Sequence, residues 1–155
     1  MHSIIIYLSK CPDTQMSIDE VQESLVPHIA DYVSYDISRW SPDHVFEGDE
    51  PMMLHNEDGT VSVNPVYREN RMRRKYEDFL EEAEKCTHVT FEEFNDTHRP
   101  YSLYLMNEAY DNDRGIIVFL EDDRTHYSWD TFLRYTQRGI LDDKYYYGGI
   151  LDYHF

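Results

Sequence analysis

Ser3-Ile-Ile-Ile-Tyr-Leu-Ser9 is the stretch that decides the fold. Three consecutive β-branched residues followed by Tyr7 and Leu8 are apolar at odd and even positions alike, so a strand here is buried on both faces. That places it centrally in a sheet. On its C-terminal side, Ser17-Ile-Asp-Glu20 is a capping box, and Ile18, Val21, Leu25, Ile29 and Val33 recur behind it at helical spacing. Pro27 is expected to kink that helix by removing a backbone donor. Asp36–Pro51 has no clear period and reads as a long surface loop. Pro51–His55 and Thr60–Val63 flank the turn cluster Asn56-Glu-Asp-Gly59, which predicts a hairpin.

A second helix is expected from about Val66 to Cys86, with Met72, Tyr76, Phe79, Leu80 and Ala83 as its apolar stripe. Its cations lie in the first half and its carboxylates in the second, so they oppose the macrodipole at both ends. Val89–Phe94, Ser102–Tyr110 and Gly115–Leu120 read as strands, the last two joined by the polar turn Asp111-Asn-Asp-Arg-Gly115. A third helix starts near Ser128 and carries Trp129, Phe132, Leu133, Thr136 and Ile140. Tyr145–Tyr147 and Ile150–Phe155, separated by Gly148-Gly149, predict a bulged strand or short hairpin. The expected fold is α+β: a largely antiparallel sheet of about five to seven strands, with three helices packed on it, in a single globular domain over residues 1–155.

Charge narrows the function. The chain holds 31 Asp and Glu against 14 Lys and Arg in 155 residues, a formal net charge of −17. Disordered acidic chains are poor in aromatics, whereas this one has 14 Tyr, 7 Phe and 2 Trp; it is expected to fold. Phosphate-bearing partners carry the same sign, so direct binding to nucleic acid or to anionic membrane is disfavoured, and basic proteins are the expected partners. No apolar run approaches the roughly 20 residues that span a bilayer, and no basic segment precedes Ile4–Leu8, so a cytoplasmic protein is expected. Cys11 and Cys86 read as reduced thiols. One basic island, Arg68, Arg71, Arg73, Arg74 and Lys75, interrupts the acidity. Neutralisation by the protein's own carboxylates is its simplest role.

Motifs for chemistry are sparse. Glu121-Asp-Asp123 directly follows an apolar run and precedes His126, where hard oxygen ligands could hold Mg²⁺ or Mn²⁺. A charged turn is the plainer reading, because such enzymes place a nucleotide-binding βα core ahead of the acidic motif and residues 36–110 lack that alternation. His88-Val-Thr90 resembles one half of the paired histidine motif of some phosphodiesterases, but one half by itself assigns no chemistry. No two Cys or His residues have zinc-ligand spacing. No catalytic residue, metal or other cofactor is assigned.

The expected function is therefore that of a small acidic binding protein that inhibits or sequesters a basic, nucleic-acid-binding partner such as a nuclease. The composition is similar to that of small acidic inhibitors of phages and mobile elements, including DNA mimics, anti-CRISPR and antirestriction proteins, and of immunity proteins that neutralise cationic nuclease toxins. The similarity covers no motif. Alternatives are a divalent-metal enzyme built on Glu121–Asp123 and an acidic structural module without a dedicated ligand. The candidate partner-binding residues are Glu92, Glu93, Asp96, Asp111, Asp113, Glu121, Asp122 and Asp123, which close the expected C-terminal strands in one or two patches, together with Tyr146. Alternation along Tyr145–Tyr147 must put at least one ring outward, and tyrosine gives contact area at low entropic cost.

Overall fold

Strand β1 (His2–Ser9) lies between two neighbours, β5 (Ile117–Leu120), parallel to it, and β7 (Lys144–His154), antiparallel. Its alternation sends Ile4, Ile6 and Leu8 into one apolar cluster and Ile5 and Tyr7 into another, so both faces are covered as its composition requires. The computed structural model describes residues 2–14, 18, 19, 21, 37–39, 43–95, 101–110 and 115–154. The helix expected behind Ser17 lies mostly outside the described residues. Ile18, Asp19 and Val21 are helical, and Val21 and Ile18 pack on the second face against Ile5 and Phe119.

The sheet runs β3 (Met53–His55), β4 (Val61–Val63), β7, β1, β5, β6 (Thr125–Ser128), and β2 (Ile37–Arg39) adds to β7. It is largely antiparallel and mixed: β1 with β5 is the parallel pair, and the other pairings are antiparallel. β7 serves two partners on one edge, β4 at Lys144–Tyr145 and β2 at Leu151–Tyr153. The β3–β4 hairpin turns at Asn56–Gly59 as its composition predicts, with Asn56 N–H donating to Thr60 O at 2.8 Å and Gly59 at φ 81°, a left-handed value that glycine adopts without cost.

Besides the helical residues Ile18, Asp19 and Val21, the helices are α1 (Asp43–Phe46), α2 (Pro65–Cys86), α3 (Phe91–Asn95), α4 (Tyr101–Tyr110) and α5 (Trp129–Gln137). α5 starts where Ser128 accepts from Thr131 N–H, and it buries Trp129, Phe132 and Leu133 on the first face of the sheet. Each such side chain contributes about 1.5–3 kcal/mol by leaving water. α2 begins with Pro65 behind Asn64, whose side chain accepts from Val66 N–H at 3.0 Å and donates to Pro51 O at 2.8 Å. The helix reaches the core through Tyr67 and Met72, and then packs on α4.

Three expectations are corrected. Ser102–Tyr110 is not a strand but falls in α4: Tyr104, Asn107 and Tyr110 are exposed and the residues between them half-buried, a period of three. Leu, Met, Glu and Ala favour helix, and α2 supplies the apolar surface that α4 covers. Val89–Phe94 is not a strand: Val89 and Thr90 lead into α3, and Phe91–Phe94 belong to it. Thr90 and Glu93 form a capping box there: Glu93 accepts from Thr90 N–H at 2.8 Å, and Thr90 Oγ1 accepts from Glu93 N–H at 3.2 Å. Within Asp36–Pro51, β2 and α1 replace the expected loop, and Val45 of α1 is fully buried. The sheet gains β6 instead, which returns from β5 through a turn whose Arg124 has φ 49°.

Candidate functional site

The parallel pair brings the C-terminal ends of β1 and β5 side by side. Glu121 N–H donates to Leu8 O at 3.0 Å, which continues the β1–β5 ladder by one residue. The Glu121 carboxylate then accepts from Thr14 Oγ1 at 2.8 Å. Burial pushes its pKa up, yet hydrogen bonds from Ser9, Thr14 and Tyr7 outweigh that and hold it below the ordinary glutamate value. Asp122 accepts from Lys10 N–H at 2.7 Å, and Lys10 Nζ pairs with Asp142 at 2.8 Å. The hydrogen bond and charge of Asp142 raise the Lys10 pKa, with Asp123 adding to the field. Ser9 is opposite Tyr146 in β7. Glu121, Asp122, Asp123 and Tyr146 therefore gather around one strand end.

Their roles there differ. Glu121 and Asp122 fasten the loop that follows β1, whereas Asp123 is exposed and makes no ion pair among the described residues. Tyr145 and Tyr147 both join the first-face cluster, so Tyr146 is the tyrosine on the opposite face. Burial raises the hydroxyl pKa of Tyr145 and of Tyr147 to about 12. His126 sits opposite Phe119 in β6. No group of three His, Cys, Asp or Glu side chains is arranged to hold a metal ion among the described residues.

Glu92 and Glu93 do not share this patch by strand pairing, because they sit on α3; Glu93 caps that helix and Glu92 is exposed. Of the carboxylates expected to close the C-terminal strands, those described thus come from one strand end and one helix. Asp96, Asp111 and Asp113 lie outside the described residues.

The basic island is consumed largely within the fold. Asp130, in the first turn of α5 and 1% exposed, accepts from Arg71 Nε at 2.7 Å and from Lys75 Nζ at 2.5 Å. Burial pushes the Asp130 pKa up, but these two hydrogen bonds prevail and hold it below the ordinary aspartate value. Arg73 pairs with Glu69, and Arg74 with Glu50. Along the rest of α2, Lys85 meets Glu81 and Glu82, while Glu77, Asp78 and Glu84 are exposed without an ion pair among the described residues. Asp130 had a signal in the sequence: an acidic residue two positions after a serine cap, facing an island in need of counter-charge.

α2 also departs from its expected stripe. Met72, Phe79 and Ala83 are half-buried, but Tyr76 is 61% and Leu80 47% exposed, and α2 has no fully buried residue. On α3, Phe91 is 75% and Phe94 69% exposed. Cys11 and Cys86 are free thiols. No helix among the described residues is long and apolar enough to cross a membrane. Comparison with protein families, with curated proteins and with solved structures returns no match.

Proposed function

We propose that this is an acidic binding protein that engages and blocks a basic, nucleic-acid-binding partner. The supporting observation is how the cations are disposed. Seven of the 14 lysines and arginines (Lys10, Arg71, Arg73, Arg74, Lys75, Lys85 and Lys144) pair with the protein's own carboxylates. Pairing leaves the excess charge of −17 on carboxylates such as Glu77, Asp78, Glu84, Glu92 and Asp123, which face water. A surface of this kind steers basic proteins by long-range attraction and competes with phosphate for the same groove.

The test is surface plasmon resonance against immobilised core histones. The on-rate is expected to fall by about tenfold or more between about 50 and about 200 mM salt, and double-stranded DNA is expected to compete. No binding, or an on-rate indifferent to salt, overturns the proposal. A metal-dependent activity at Glu121–Asp123 is less well supported, since Glu121 and Asp122 are already engaged by Thr14 and by the Lys10 amide.

A further inference from the structure

We infer that the outer face of α2 is a docking site for a basic amphipathic helix, a reading that rests on the basic-partner proposal and gives it an address. Single exposed apolar side chains are ordinary on protein surfaces. Tyr76 and Leu80 are different because they stand one turn apart on the same side of a long helix, about 6 Å along its axis, and form an apolar row. The inner positions Met72, Phe79 and Ala83 are half-buried, so the row belongs to a stripe that this fold only half covers.

Charge selects the occupant. Glu84 continues the row four residues after Leu80, and Glu77 and Glu81 run beside it at i, i+4 spacing. Among the cations of α2, Arg73 is held by Glu69 and Lys85 by Glu81 and Glu82. A second copy of the chain carries the same net charge of −17, which opposes its approach to this border of carboxylates. A partner helix with an apolar stripe edged by Lys or Arg satisfies both the row and its border. Laid along α2 at the usual 8–10 Å between axes, it places its apolar residues on Tyr76 and Leu80 and its cations by Glu77 and Glu84. Downstream, Phe91 and Phe94 on α3 offer further exposed aromatic surface.

The experiment titrates the full isotope-labelled chain with a synthetic amphipathic Leu/Lys helix, and with a peptide of identical composition in scrambled order. Calorimetry is expected to show the amphipathic peptide binding about tenfold more tightly or better, with amide shifts concentrated on α2 and α3. Tyr76→Ser with Leu80→Ser is expected to abolish that preference while leaving the weaker binding of the scrambled peptide intact. If the double variant loses its helical circular dichroism, Leu80→Gln alone carries the comparison. Equal affinity for both peptides, or shifts confined to other elements, overturns the docking face while the basic-partner reading stands. Binding of neither peptide overturns both. A concentration-dependent dimer that the Tyr76 and Leu80 changes dissolve makes a second copy the occupant and refutes the inference.

Discussion

Replacing Asp130 with alanine strands two cations at the junction of α2 and α5. Arg71 Nε and Lys75 Nζ each lose their carboxylate oxygen, at 2.7 and 2.5 Å. Removing one partner of a buried ion pair costs about 3–5 kcal/mol. Here the Arg71 and Lys75 side chains retain 30% and 15% exposure, so water recovers part of their charge, and a loss of about 2–4 kcal/mol is expected. With a urea slope of about 2 kcal/mol/M, the unfolding midpoint falls by about 1–2 M. A pH series adds an independent check. The folded Asp130 pKa is depressed below its unfolded value, so its stabilisation is complete above about pH 4 and is lost as the pH falls through the folded value. The wild-type midpoint is therefore expected to drop more steeply than that of Asp130→Ala below about pH 4. A cost under about 1 kcal/mol, or parallel pH profiles, would refute the view that this carboxylate ties the basic island of α2 to α5.

Other perturbations follow from the same geometry. A Cβ at Gly148 would sit 2.5 Å from Tyr7 Cδ1, so Gly148→Ala is expected to cost about 2 kcal/mol and to lower the calorimetric melting temperature by about 4–8 °C. Reversing Glu121 and Asp122 to Lys is expected to destabilise the fold by about 1–3 kcal/mol through loss of the Thr14 and Lys10 amide bonds. Asp123→Lys alone leaves the urea midpoint unchanged or raises it, since that carboxylate is solvated. Tyr145 and Tyr147 are expected to ionise near pH 12, above the ordinary tyrosine value, as read by the tyrosinate absorbance that Tyr145→Phe and Tyr147→Phe remove. Because these pKa values are raised in the fold, the associated stability is complete below about pH 10 and is lost as the pH rises toward 12.

How much of this was legible varies with what each segment needs from its neighbours. Ile4–Leu8 reads alone, since apolarity at every position leaves no other place for a strand. The start of α5 was clear from Ser128, and the β3–β4 turn from Gly59. Ser102–Tyr110 misled because Tyr104 and Met106 fit the alternation of a strand, and the choice of helix is made by contact with α2, which no local window contains. Thr90-Phe-Glu-Glu93 did contain its answer, a capping box hidden behind two aromatics that resemble strand formers. That misreading carried Glu92 and Glu93 onto a strand and into a patch with Glu121. In α2 the stripe was read correctly as a period, but the period says nothing about how many of its members a neighbour will cover; Tyr76 and Leu80 show the difference.

The position of β7 has a consequence for how the chain reaches this state. Its ladder with β1 joins His2 to His154, and its other edge gathers β4 and β2. The middle of the sheet is thus closed by residues nearly a full chain length apart, whereas the β3–β4 and β5–β6 hairpins close locally. Pairings over such separations carry a large loop-closure cost and slow folding toward the millisecond-to-second range. On the ribosome, the edge of β1 that β7 will occupy emerges long before β7 exists. Ile4–Leu8 is then an unpaired, apolar strand in a growing chain, the kind of segment that chaperones shelter and that aggregates when they do not.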